Sequence, residues 1–172
     1  MRNTFKTITL IIITLLLSSC SKVAFERSRD VHEAAIYSTI INVYTPSGEE
    51  ILIMDSTDAV KINDERFTSI PSLSKNTLVN FHLVNREPQV LDLPLAVNMG
   101  YKYVSIPGDL LIFSRSSSVI TLSKVGFNRK FNQALVYISY NCGAECGTGT
   151  VFFLVREGNK WTIQETIKIW VS

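Results

Sequence analysis

The chain has 172 residues, 46% hydrophobic and 19% charged, with a formal net charge of +2. Arg2 and Lys6 account for that excess; without them fifteen basic side chains balance fifteen acidic ones. Lys and Arg are scattered, Arg129-Lys130 being the only adjacent pair, so the basic stripe that a phosphate backbone calls for is missing and the reading is of no nucleic-acid partner.

The first element in chain order is a processing segment. Arg2 and Lys6 supply a positive start, Ile8 to Leu17 an apolar run, and Ser18 and Ser19 small residues ahead of Cys20, the tripartite order of a signal peptide. The apolar run is about half the roughly twenty residues a helix needs to cross the hydrocarbon, so cleavage is expected and not a permanent span. Leu17-Ser18-Ser19-Cys20 resembles the lipobox of bacterial lipoproteins. That resemblance implies removal of residues 1–19, lipidation of Cys20 and attachment to the membrane through it, since several acyl chains on one residue hold firmly where one is marginal. Ser21 carries no retention signal, which by the same resemblance implies the outer membrane of a cell envelope. Residues 20–29 then form a lipidated tether, and 30–172 are about the length of a single domain with a proper core.

Within that domain Asp30 and Glu33 are spaced as a capping-box-like pair, and Val31, Ala34, Ala35, Ser38 and Ile41 recur at helical spacing, predicting a helix buried along that face. Pro46-Ser47-Gly48 ends it. Ile51 to Met54 reads as a strand with a polar exit at Asp55-Ser56-Thr57-Asp58. A second helix is expected after Pro71 to Ser74, with Leu78, Phe81, His82 and Asn85 on one side and Pro88 as its stop. Leu91 to Leu95, interrupted by Pro94, is irregular or an edge, and a strand follows at Tyr101 to Ile106.

Four strands are predicted beyond: Val119 to Val125, Ala134 to Tyr140, Val151 to Arg156 and Trp161 to Val171. In the last, Trp161, Ile163, Ile167, Ile169 and Val171 share a face, with Glu165 and Trp170 as exceptions. Gly158-Asn159 suits a tight hairpin with positive φ. Helices early and strands late give an α+β expectation: N-terminal helices packed on a mainly antiparallel sheet that ends in a meander of about four strands. The expected core is Val31, Ala35, Ile41, Phe81, Leu122, Leu135, Tyr137, Phe153, Val155, Trp161, Ile163 and Ile167.

The C-terminal segments Thr121 to Asn128, Gln133 to Tyr137, Cys142-Gly143 through Cys146-Gly147, Gly158-Asn159-Lys160-Trp161 and Ile169 to Ser172 are similar to a recurrent pattern among uncharacterised bacterial lipoproteins and exported proteins. The resemblance covers residues 119–172 and implies export and a fold, without an activity.

The most informative local feature is the loop Asn141 to Gly149, which holds Cys142 and Cys146. Exported thiols meet an oxidising compartment, and a Cys142–Cys146 disulfide fixing the loop is the leading reading. The alternative is a thiol-dependent redox enzyme. It lacks a neighbouring cation or helix N-terminus to stabilise a thiolate, and three residues separate the cysteines, not the two of the thioredoxin-type motif. A metal site there has Glu145 as its only local third ligand and no nearby histidine. Gly147-Thr148-Gly149 lacks the lysine and strand-to-helix setting of a phosphate cradle, so no cofactor is expected. His32 and His82 read as surface or satisfied helix residues, Asp55 and Asp58 as turn chemistry, Trp161 as packing and Trp170 as exposed. The sum is a lipid-anchored envelope protein, a non-catalytic binding module with an envelope protein as possible partner. The thiol enzyme stands second, and a hydrolase on Asp55 or His82 requires those two to share a cleft.

Overall fold

The computed structural model describes residues 25–43, 51–105, 118–143 and 146–172. The expected leader, Cys20 and Pro46-Ser47-Gly48 lie outside these residues. A helix over 25–43 (α1) is followed by β1 (Ile51–Met54), a 3-10 turn (Asp64–Phe67), α2 (Lys75–Val84), β2 (Tyr101–Val104), β3 (Val119–Leu122), β4 (Gly126–Phe127), β5 (Gln133–Gly143), β6 (Cys146–Glu157) and β7 (Lys160–Val171).

The α+β expectation of N-terminal helices on a mainly antiparallel sheet is corrected by this architecture. The described residues are mostly β, forming one seven-stranded mixed sheet in the order β2-β1-β3-β5-β6-β7 with β4 also on β5. β1 runs parallel to both β2 and β3, whereas β3–β5, β5–β6 and β6–β7 are antiparallel. α2 is not part of an N-terminal layer but lies within the crossover between β1 and β2. Parallel neighbours need long connections, so their pairing is invisible to local sequence pattern, while hairpin-linked strands advertise theirs.

The longest strands explain why their sequence is so apolar. Along β5, Ala134, Val136 and Ile138 enter a core with Ile36, Tyr37, Ile40 and Ile41 of α1, whereas Leu135 and Tyr137 enter a second core with Phe81, Phe67 and Ile70. β6 alternates likewise, Phe152 and Leu154 joining the first core and Val151 and Phe153 the second. Strands covered on both faces read as continuous hydrophobic runs.

α1 departs from expectation in two ways. Residues 25–29, read as tether, are already helical, so Asp30 is not its cap. The buried face is also rotated: Val31 is 63% exposed and Ala35 is exposed, while Glu33, Ile36, Tyr37, Ser38, Ile40 and Ile41 are buried. The stripe is rotated because Glu33, expected as the capping-box partner of Asp30, is instead buried in the middle of the inward face.

α2 follows the usual rules. Ser74 caps it by accepting from the Thr77 N–H, and Thr77, Phe81 and Asn85 are buried. β7 carries two bulges against β6, between Gly149 and Thr150 and between Phe153 and Leu154. Each shifts the side-chain alternation by one residue, so Trp161 and Ile163 pack on the first core while Ile167 and Ile169 pack on the second. They do not share the single face predicted for them. At the β6–β7 turn Gly158 alone of the pair takes positive φ, 60°, as a two-residue turn with glycine first requires.

Candidate functional site

Among the described residues, the buried polar side chains Glu33, Asn85 and Ser123 gather at Ser123-Lys124-Val125, the break between β3 and β4. Leu122 pairs with Ile138 and Gly126 with Leu135, so four steps on one strand match three on the other and one extra residue bulges out. The bulge takes backbone groups off the ladder, and side chains from both faces of the sheet replace the lost partners. From the α2 side, Asn85 accepts from the Lys124 N–H (2.8 Å) and donates to the Lys124 carbonyl (2.9 Å). From α1, Glu33 Oε1 accepts from the Val125 N–H (2.9 Å), the Tyr37 hydroxyl donates to the Ser123 carbonyl (2.8 Å), and Arg29 Nη2 donates to the Val125 carbonyl (3.1 Å). Within the bulge, Ser123 Oγ accepts from the Tyr137 N–H (2.9 Å).

Glu33 is fully buried and ion-paired with Lys124 at 2.6 Å, and its Oε1 shares the single Tyr37 hydroxyl proton with the Ser123 carbonyl, 2.8 Å from each. A charge buried to this degree is tolerated only when paired and hydrogen-bonded. Burial and the adjacent Glu33 carboxylate push the Tyr37 hydroxyl well above its ordinary range, so it stays protonated and keeps donating. The constellation has the residue types of an acid–base site, but every polar atom named is spent on the bulge or on a neighbour. It is a clamp that fastens both helices to one point of the sheet.

Directly beside it, β4 pairs with β5 alone among the described residues. Its other edge is met by α2: the Phe127 N–H donates to Asn80 Oδ1 (2.8 Å), and a Cβ on Gly126 would collide with the backbone of Phe81. Where α1 and α2 converge over this edge they leave a groove of about 350 Å³. α1 contributes Phe25 and Arg29, α2 contributes Asn76, Val79, Asn80 and Leu83, and the β4–β5 turn contributes Phe127, Asn128, Arg129 and Phe131.

Phe131 is held at φ 50°, the one non-glycine residue at positive φ among the described residues. That conformation costs on the order of 1 kcal/mol for an L-residue. Asn128 enforces it, its side chain accepting from the Asn132 and Gln133 N–H groups and donating to Asn132 Oδ1, while its carbonyl accepts from the Phe131 N–H. The result sets the Phe131 ring 5.4 Å from Phe25 and 5.0 Å from Phe127, centroid to centroid. His32 lies behind these rings, 5.7 Å from Phe131 and 5.9 Å from Trp161. Arg156 Nη1 donates to its Nε2 at 2.8 Å, and burial first, then the Arg156 charge, lowers its pKa, which keeps the ring neutral.

A second, more open concavity of about 550 Å³ is lined by Val60, Lys61, Ile62, Asn63, His82, Asn85 and Arg86. His82 Nε2 lies 2.7 Å from Asp64 Oδ1, an exposed pair. The residues predicted to matter are dispersed. Asp55 sits at the end of β1, its backbone bonded to Val104 and Leu91; it does not line this concavity, and the partner His82 takes is Asp64. Burial raises the Asp58 pKa, and the Asp58 charge acts on Tyr137; its side chain lines neither groove among the described residues.

Cys142 and Cys146 are joined in a disulfide across the β5–β6 end, as the leading reading of the loop had it; Glu145 lies outside the described residues. Gly147 and Gly149 are covered by the indole of Trp170, which a Cβ at Gly149 would strike, and Trp170 Nε1 donates to the Tyr137 hydroxyl (2.8 Å). The glycines thus make room for an aromatic lid, and Trp170, expected on the surface, is 38% exposed.

Sequence reasoning missed Glu33, Lys124, Arg29 and Phe131. Glu33 and Tyr37 are four apart beside Ile36, Ile40 and Ile41, a signal available to a helical projection that admits a buried carboxylate. Nothing local marks Phe131.

The chain matches no family model, no curated protein and no solved structure.

Proposed function

We propose that this chain is a lipid-anchored protein of the bacterial cell envelope, attached through Cys20 and probing its surroundings as a binding module. The leader and the Leu17-Ser18-Ser19-Cys20 resemblance support the anchor. The binding role rests on one observation: the groove between α1 and α2 is built from three phenylalanines, two arginines and three asparagines, and one of its rings is kept in a strained backbone conformation. Strain of this kind persists only where surrounding structure enforces it and gathers at ligand-contacting sites. Such a lining holds apolar surface and anionic groups: its described residues offer cations, amides and rings.

The anchor is tested by intact mass of the mature protein, expected to begin at an acylated Cys20; residues 1–19 still attached, or a bare thiol at position 20, overturns it. The binding role is tested by capture from membranes with the anchor intact. Enrichment of an envelope component over an unrelated lipidated control, lost in Phe131→Ala, supports it, and equal recovery with both proteins counts against it.

The thiol-dependent alternative is favoured by no geometry. Replacing Cys142 and Cys146 together by serine is expected to leave any capture unchanged, and loss of capture with the fold retained would revive it.

A further inference from the structure

We infer that the groove between α1 and α2 is the face that lies on the membrane, its apolar rim entering the headgroup region and the exposed Arg129 taking lipid phosphate. The inference rests on the proposed anchor at Cys20 and deepens it by naming the occupant.

Distance comes first. Phe25 lines the groove and follows Cys20 by five residues, and a fully extended chain spans about 3.3–3.6 Å per residue. The groove therefore lies within about 18 Å of the acylated residue whatever path the chain takes. Chemistry comes second. Asn76, Val79, Asn80 and Leu83 are spaced along α2 as one outward stripe. Phe25, Val79 and Leu83 are each more than half exposed, at 52%, 56% and 52%, although the sheet-facing side of the same helix holds a packed core. Exposed apolar side chains gathered on one face mark a contact surface more than scattered ones do. Charge comes third. Among the described residues the lining holds Arg29 and Arg129 and no carboxylate; Arg29 is bonded to the Val125 carbonyl, which leaves the exposed Arg129 to meet a phosphate. Guanidinium groups bind phosphate well, and basic side chains close to an anionic leaflet are attracted to it. Apolar side chains combined with cations on one helical face are the composition of an interfacial surface.

The experiment is hydroxyl-radical footprinting of the purified lipidated protein, read residue by residue by mass spectrometry. The protein is placed in detergent micelles, in phosphatidylcholine vesicles, and in vesicles of phosphatidylglycerol with phosphatidylethanolamine. Intact mass of the same sample is recorded first. Oxidation of Phe25, Val79 and Leu83 is expected to fall at least fivefold on the phosphatidylglycerol vesicles relative to micelles, less on phosphatidylcholine, and to recover partly in high salt. Val90 and Val171, exposed but outside the groove, serve as internal controls and should change less than twofold. Arg129→Glu is expected to remove most of the protection at Leu83 while leaving both controls as they were.

An N-terminus without acyl mass overturns the anchor and this inference with it. An acylated protein whose Phe25, Val79 and Leu83 oxidise equally in micelles and vesicles overturns the docking face alone. Protection spread equally over Val90 and Val171 also overturns it, as does protection seen in native membranes but absent from pure lipid vesicles, which would assign the groove to a protein.

Discussion

α1 and α2 each present two faces, and the two meeting places they create are opposites. At Ser123-Lys124-Val125 they deliver polar side chains to a bulge that needs them, and the named donors and acceptors meet within hydrogen-bond distance. A few residues away, over the edge of β4 that α2 covers, the same helices leave Phe25, Val79 and Leu83 facing outward. The first meeting place holds the fold together; the exposed rim of the second costs the fold little to change and is free to serve a contact. A glutamate, a lysine and a tyrosine in close contact are thus structural here, whereas Phe25, Val79 and Leu83, apolar enough for a core, stay exposed along a groove.

The largest effect is expected from breaking the clamp. Glu33→Ala leaves Lys124 without its partner and the Val125 N–H without an acceptor, and removing one member of a buried pair costs about 3–5 kcal/mol. Urea unfolding should show the midpoint falling with the slope unchanged. A loss below about 1 kcal/mol, the range of an exposed pair, would mean the pair is not a structural anchor. Tyr37→Phe removes one hydroxyl from the same network and should cost less, about 1–3 kcal/mol.

Next is the seam between clamp and groove. Gly126→Ala places a methyl against the backbone of Phe81, where neither partner can turn aside, and overpacking of this kind costs about 1–3 kcal/mol. Thermal unfolding measures it, and an unchanged midpoint would show that α2 can shift off the strand.

The Cys142–Cys146 disulfide closes a short ring, so its removal in the double serine variant is expected to cost at most about 2 kcal/mol. The loss should be confined to the β5–β6 end, with hydrogen exchange at α1 and α2 unaltered.

The chemistry of pH separates the two places again. His32, behind the groove, has a pKa lowered below the ordinary 6.5 by burial and by Arg156. Between that lowered value and 6.5 the unfolded chain binds the proton more readily than the folded one, so stability should decline as pH falls from about 6.5 and level off below the folded pKa. Comparing unfolding curves of the parent and His32→Gln over pH 5–7 tests this, and a parent slope no steeper than the variant's would remove His32 as the cause.

What the sequence disclosed follows the range of the forces involved. Strands β5, β6 and β7 were legible because hairpin partners are sequence neighbours and Gly158-Asn159 marks the turn between two of them. The same pattern could not reveal that β1 pairs in parallel with β2 and β3, since those partners are about fifty to seventy residues away. The bulges in β7 defeat a strict period of two, which is why Ile167 and Trp161 were placed on one face and occupy opposite cores. The clamp stayed hidden for a different reason: Glu33, Asn85 and Lys124 are ordinary surface residue types, and only the tertiary approach of two helices to one bulge makes them interior.

The smallest stability effect is the most discriminating. Val79→Ser with Leu83→Ser removes two large aliphatic side chains from α2, and in a core such a change would cost several kcal/mol. Both side chains are more than half exposed, so little burial is lost, and surface substitutions of this kind usually stay within about 0.5 kcal/mol. Serine's lower helix propensity adds a few tenths per position. The double variant should therefore unfold in urea within about 1 kcal/mol of the parent while its groove loses the apolar rim. A loss of 2 kcal/mol or more would make the groove an extension of the second core, and the division between a helix face that holds the molecule together and one that meets something else would fail.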